Sequence, residues 1–415
     1  MVDKSGILSP AQGEPVDKVR KSILDRIITV KQTEAVALAN SLGRTLSDDV
    51  ICPFNVPAND NSAMDGYAFF IDDVNRAILP LQVIGTIYAG RPWTGSIPTQ
   101  NQCVRIMTGG VMPAHCNTVV AQEFVQATGD QVTVPIGQSP GQNRRFAGED
   151  LAVGKPAIVA GEKMGPAEMG LVASLGIAHV TVYRRVRVAF FSSGDEILSL
   201  GEAPRDGCIY DSNRFTLIGM LSRLGVELID MGVIADNPQA LEAAVKYAAA
   251  NADVVISSGG VSVGAADHTR AIMQKLGEIT FWQIAMRPGR PMAFGKVDDA
   301  FYFGLPGNPV AVMITFYFFV KDALERMGGG THCDLQTVGA LTRQAIRKRP
   351  GRTEYQRGRA GLNENGQLSV SLTGQQGSGV LSSMAQANCI VILEHDQSSV
   401  EIGDEVKIVL FEGLT

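Results

Sequence analysis

From residue 185 to 327 the sequence alternates short apolar runs with segments of helical period, and this alternation constrains the fold more than any other feature. "VRVAFFSS", "VELIDMGVI", "DVVISSGG", "ITFWQI" and "FYFGLPG" read as strands, with helices predicted over 212–224, 238–251, 266–276 and 309–327. Strands and helices in this rhythm predict a doubly wound parallel sheet, covered by helices. Ligands of such open sheets bind outside the carboxyl ends of the strands. The loops expected at those ends are "SSGDEI", "GVIADNP", "SSGGVSVGAADHT", "MRPGRP" and "GLPGNP". Glycines, acids and arginines therefore gather along one edge.

The rest of the 415 residues must form further domains, because the chain is too long for one ordinary core. Val16, Val19, Ile23 and Ile27 recur at helical spacing, which predicts an amphipathic helix over 15–30. A second helix is expected after it, with Thr33 as N-cap and Gly43 past its end. Between 55 and 144 short apolar runs alternate with Gly, Pro and Asn, the texture of a small β-rich domain. The pattern turns mixed again over 145–184; if that stretch packs back on the first helices, the β-rich domain is an insertion. Beyond 335, turns such as "NENGQ" and "EIGDE" separate short strands. The expected multidomain α/β organisation is 15–54 plus 145–184, 55–144, 185–335 and 336–415.

Composition removes several function classes. With 36 Lys and Arg against 42 Asp and Glu, the net charge of -6 argues against a nucleic-acid binder. The most apolar run, Val310 to Val320, falls short of the roughly 20 residues that span a bilayer, so no membrane partner is expected. No signal peptide is read in the polar opening "MVDKSGILSPAQGEP". The six cysteines are scattered without a C-x-x-C pair, which favours reduced thiols and a cytoplasmic setting.

Each edge loop has a chemical reading and a structural one. In "SSGGVSVG", Ser258, Gly259, Gly260 and Ser262 either let backbone N–H groups approach an anion or form an ordinary strand-to-helix turn. Asp236 and Asp267 either hold a hard cation such as Mg²⁺ or cap helices. Arg287 and Arg290, flanked by Pro288 and Pro291, either grip an oxyanion with their guanidinium forks or make a solvated basic turn. Asn308 and Pro309 fit a helix start, and Asp195 and Glu196 fit either caps or acid/base groups. No G-x-x-x-x-G-K-[ST] is present, and no nucleophile stands beside a histidine. The loops point to metal and anion chemistry without a covalent enzyme intermediate. In the loop "NDNSAMDGYA", Asp60 and Asp65 fall in a stretch with neither helical nor strand period.

Together, "NDNSAMDGYA", "RIMTGGVMPAHCNTVVAQE", "RRFAGED", "SSGDE", "YDSNR", "SSGGVSVGAADHT", "RPGRPMAFG", "GLPGNPV" and "GRTEYQRG" resemble the molybdopterin molybdenumtransferases, the MoeA and gephyrin E-domain family. The similarity runs from about residue 15 to the C-terminus. It implies an elongated homodimer of four-domain subunits, with a MogA-like α/β domain, a C-terminal β-barrel-like domain and an active site shared between subunits. It implies Mg²⁺-dependent insertion of molybdenum from molybdate into adenylylated molybdopterin (molybdopterin-AMP), with release of AMP. It also implies transient contact with a MogA-type adenylyltransferase and with molybdoenzyme maturation factors. The family's cleft motifs fall on Asp60, Thr108, Asp150, Glu196, Asp236, Asp267, Arg287, Pro306 and Pro309, with Arg352 and Ser378 near the molybdate side. Gln283 departs from the lysine often found at its place. A MogA-type adenylyltransferase and a gephyrin-like scaffold are the rival readings; the extra domains oppose the first, and the intact acidic and glycine loops oppose the second.

Overall fold

The computed structural model describes residues 13–71, 80–259, 268–331 and 335–411. Asp267, Gly260 and Ser262 lie outside them. Within the described residues the chain builds four packing units.

The first helix covers Val16–Leu24 and buries Val16, Val19 and Ile23. It is shorter than the predicted 15–30. The β-branched run Ile27 to Val30 that follows is disfavoured in a helix, and the Val30 N–H donates instead to Met327 O at 2.9 Å. Ile27 and Val30 stay buried, so the spacing reports burial correctly but not the conformation. The second predicted helix is a strand, Thr33–Ala37, followed by one 3₁₀ turn, Leu38–Asn40. That strand pairs antiparallel with His179–Tyr183, from Thr33 opposite Tyr183 to Ala37 opposite His179. A distant partner overrides local propensity here. Val50–Ile51 likewise pairs with Pro156–Ile158. Leu46, Val50 and Cys52 share one core with Ile158, Val172, Val180 and Val182.

Between these paired segments lies a six-stranded sheet in the order Thr118–Ala121, Gly66–Phe69, Gln102–Ile106, Leu81–Ile87, Gln131–Thr133, Gln126–Thr128. Tyr67, Phe69 and Cys103 pack on one face, Ala68, Val104 and Ile106 on the other. Gly66 is required by close approach, since a Cβ there would lie 2.0 Å from Val120 O.

The α/β sheet runs Glu227–Ile234, Arg187–Ser193, Val254–Ser258, Ala300–Leu305, Pro291–Val297, Gly277–Gln283. The first four strands are parallel. Pro291–Val297 is antiparallel to both neighbours, so the sheet is mixed rather than wholly parallel. The short 284–290 connection explains this: a parallel return needs a crossover of a dozen or more residues. Because Ala293 pairs with Gly304 and Gln283 with Pro291, the connection still lies at the edge where the parallel strands end. Helices Ser212–Leu224 and Pro309–Thr315 cover one face through Leu217, Leu221, Val310 and Ile314. Pro238–Asn251 and His268–Leu276 cover the other through Leu241, Val245 and Met273. The first helix joins the former side, where Arg20 Nε donates to Asp322 Oδ2 at 2.6 Å.

The C-terminal strands close into a five-stranded barrel: Thr353–Leu362, Leu368–Leu372, Val338–Thr342, Glu405–Leu410 and Cys389–Leu393, which pairs back to Thr353–Leu362. Met286–Arg287, from the α/β unit's edge loop, adds in parallel to this barrel opposite Thr353 and Glu354. The edge loop is thereby fixed to two units at once. No helix of the described residues is long and apolar enough to cross a membrane.

Candidate active site

The carboxyl edge of the α/β sheet and one rim of the barrel enclose a cleft of about 830 Å³. Glu196, Asp236, Gly259, Arg287, Arg290, Pro306, Asn308, Arg352 and Ser378 all line it. A smaller chamber of about 340 Å³ adjoins it through Glu196, Gly259 and Asn308, and there Ser258 and Pro309 form part of the wall.

Local structure explains how each group reaches the cleft. Asp236 precedes the helix Pro238–Asn251, but Asn237 is the cap: its side chain accepts from Ala240 N at 2.8 Å. Asp236 is therefore not consumed as a helix cap. Glu196 folds back over Gly194, where a Cβ would lie 2.5 Å from its Oε2. Among the described residues neither the Glu196 nor the Asp236 carboxylate has a side-chain hydrogen bond or an ion pair. Gly259 has a φ of 93°, and a Cβ there would lie 2.6 Å from Ser193 O, so only glycine fits where the chain turns out of its strand. Ser258 is buried beneath it and accepts from Asn213 Nδ2 at 2.8 Å, which makes it a strut rather than an exposed ligand group. Asn308 takes the N-cap position ahead of Pro309 without a capping side-chain bond, and lines the cleft.

The cationic wall comes from two units. Arg287 is exposed, with Nη1 at 3.9 Å from Glu354 Oε2. Arg352, on the barrel rim, places Nε and Nη2 each at 3.0 Å from Glu354 Oε1. Behind them Arg357 is buried and donates to Gln375 O, Gln376 O, Gly377 O and Ser383 Oγ. Burial, and Arg287 nearby, push its guanidinium down to about 10. Those bonds pin the 375–377 turn that presents Ser378, whose carbonyl in turn accepts from Val310 N at 3.1 Å. Sequence reasoning missed Glu354, Gln356 and Arg357, although "GRTEYQRG" carried a usable signal. Glu354 and Gln356 alternate on one buried strand face, which an ordinary barrel interior would fill with apolar side chains.

Gln283 does not line the cleft; its carbonyl accepts from Glu14 N at 2.8 Å. Asp60, Thr108 and Asp150 do not line it either. They sit with the β-rich unit and the segment leaving it. Asp60 accepts from Ala147 N at 2.7 Å and is paired with Arg144. Those Arg144 and Ala147 bonds hold its carboxyl below the usual carboxylate range. Asp65 Oδ1 accepts from both the N–H and the hydroxyl of Thr108, each at 2.7 Å, and is lowered by them. Asp150 is exposed, and its N–H donates to Val56 O at 3.1 Å. Among the described residues no group of three or more His, Cys, Asp or Glu gathers to hold a metal, and Asp267 falls outside them.

Fold and cleft define a multidomain α/β protein whose carboxylates and arginines line one cleft between a helix-covered sheet and a small barrel. Comparison with known proteins makes this specific. Residues 14–176 match the MoeA N-terminal region (domains I and II), 189–326 a probable molybdopterin binding domain, and 340–411 the MoeA C-terminal region (domain IV). The molybdopterin molybdenumtransferase of Haemophilus influenzae is 39% identical over 401 residues, covering 96% of this chain and 99% of the relative. That of a Nostoc species is 33% identical, covering 93% and 91%. The crystal structure of the molybdopterin biosynthesis moeA protein from Pyrococcus horikoshii superposes with a TM-score of 0.83 at 28% identity, covering 96% of this chain and all of that one (100%). The chain belongs to the MoeA family of molybdopterin molybdenumtransferases, enzymes of molybdenum cofactor biosynthesis.

Proposed function

We propose that this chain inserts molybdenum from molybdate into adenylylated molybdopterin and releases AMP. The observation that carries the reading is the division of one cleft into open carboxylates, Glu196 and Asp236, and arginines held by the barrel and its attached loop, Arg287, Arg290 and Arg352. Arginine forks suit tetrahedral oxyanions such as molybdate, and the adjoining glycine turn admits a phosphate close to the backbone. Pro306 is buried and forms part of the cleft wall.

The donor set fits Mg²⁺, because the open groups in the cleft are carboxylate oxygens with no side-chain donor bound to them among the described residues. Asp236 would hold the ion, with Asp267 as the further carboxylate of the pair. A bound Mg²⁺ supplies Lewis-acid polarisation of a phosphoryl oxygen. Asp60, Thr108 and Asp150 act in the cleft of a second copy, so the working form is a homodimer with shared sites. The adenylylated substrate comes from a MogA-type adenylyltransferase in the cytoplasm.

The test is incubation of the full-length protein with adenylylated molybdopterin, following AMP. Release that needs both molybdate and Mg²⁺ is the expected result. Release indifferent to molybdate, or pyrophosphate formation from ATP, contradicts the reading.

A further inference from the structure

We infer that Glu354 is the positioning residue of the oxyanion wall: a buried carboxylate that aims Arg352 and Arg287 into the cleft. The inference rests on the molybdate reading above. Only 3% of the Glu354 side chain is exposed, whereas Arg352 and Arg287 are 44% and 54% exposed. The two arginines are long side chains with wide rotamer freedom, and at the mouth of a wet cleft they would otherwise spread over many conformations. One oxygen of Glu354 takes both Nε and Nη2 of Arg352 at 3.0 Å. The other accepts from Gln356 Nε2 at 3.0 Å and faces Arg287 Nη1 at 3.9 Å.

The carboxylate is itself fixed on two sides. Its backbone lies in the barrel strand opposite Arg287, through the parallel pairing of Met286–Arg287 with Thr353 and Glu354. Gln356, two residues along the same strand face, locks its second oxygen. The charged groups around it are Arg287, Arg352 and, through space, Lys348. Lys348 is turned away, since its Nζ donates to Gln397 O at 2.7 Å and to His395 O at 3.2 Å. Arg357 is engaged by carbonyls and Ser383. Glu354 thus has Arg352 as its direct ion-pair partner and Arg287 within 3.9 Å, and both line the cleft.

The two effects of removing its charge have opposite signs. Without the negative charge the wall becomes more positive, which by Coulomb attraction alone tightens anion binding. Without the oriented acceptor, the forks must be ordered by the anion itself, which weakens binding. Positioning predicts that weakening wins.

The experiment measures molybdate binding to the full-length protein by equilibrium dialysis, together with the molybdate KM and kcat of AMP release, for wild type, Glu354→Gln and Glu354→Asp. Glu354→Gln should raise Kd and KM for molybdate about tenfold, with kcat within about threefold. Glu354→Asp, which keeps charge and two acceptors, should recover part of that loss. Tighter binding in Glu354→Gln overturns the inference and leaves Glu354 as a charge moderator. Unchanged molybdate constants with a lowered melting temperature overturn it as well, because that is a purely structural role. If wild type itself binds no molybdate, the reading of the cleft fails first and the inference falls with it.

Discussion

Two sets of acids in this chain meet opposite environments. Asp60 and Asp65, in the loop ahead of the β-rich sheet, are engaged: Arg144 and Ala147 hold both oxygens of the first, and Thr108 holds Oδ1 of the second. Glu196 and Asp236, at the sheet edge, face a cleft with no side-chain partner among the described residues. A carboxylate whose lone pairs are already taken is a fixed negative element of shape, whereas an open carboxylate is a site for something brought from solution. On the proposed function the difference separates groups that position from groups that bind, although both sets are carboxylates in polar, glycine-bearing loops.

The largest expected effect tests the open set. Asp236→Asn keeps size but removes charge, and loss of one preorganised electrostatic element costs about 10²–10³ in rate. AMP release should fall by that range with weakened Mg²⁺ activation, while the melting temperature stays near that of wild type. A variant with wild-type rate and metal response would show that Asp236 binds nothing that matters.

Next comes the seat of the engaged set. Gly66→Ala places a Cβ 2.0 Å from Val120 O, a backbone atom that cannot swing away. Overpacking of this kind costs roughly 1–3 kcal/mol, and urea unfolding should register it. An unaltered midpoint would mean the loop is not seated on the sheet as described.

Acid titration tests the engaged set. The Asp60 carboxyl is lowered from its ordinary 3.8 by Arg144 and Ala147. Its ionised form therefore contributes stability that is present above the ordinary value and is lost as pH falls through the lowered one. Wild type should lose stability on acidification below about pH 4, and Asp60→Asn should flatten that slope. An identical slope in the two proteins would remove Asp60 from the engaged set.

The smallest effect concerns Gln283. Because it does not line the cleft, Gln283→Lys should leave the molybdate constant within about twofold, as expected of a charge outside the cleft that salt partly screens. A large tightening would place the oxyanion closer to the sheet strand than to the barrel.

Much of the edge was legible beforehand, since loops following "VRVAFFSS", "VELIDMGVI" and "FYFGLPG" must fall together once their strands are parallel neighbours. The strand Pro291–Val297 was not among those read from the sequence; its direction follows from the short links at 284–290 and 298–299, which leave no room for a crossover. Thr33–Ala37 was misread as helical because its partner, His179–Tyr183, is far away in sequence. Asp236 carried two readings that only the capping bond of Asn237 could separate. Glu354 escaped notice because a charge in a strand looks like a solvent-facing residue until the barrel closes around it. Asp267, Gly260 and Ser262 remain expectations of the sequence.

In the proposed reaction the engaged and the open acids act together from two copies of the chain. The most direct test mixes folded, separately inactive Asp60→Ala and Asp236→Ala subunits under conditions that allow exchange, then follows molybdate-dependent AMP release. In a two-fold dimer with shared sites, random exchange restores one intact site in each mixed dimer, so activity should recover to about a quarter of wild type. Mixed dimers formed in full, yet showing no recovery, would place both acid sets in the same subunit's site and contradict the account.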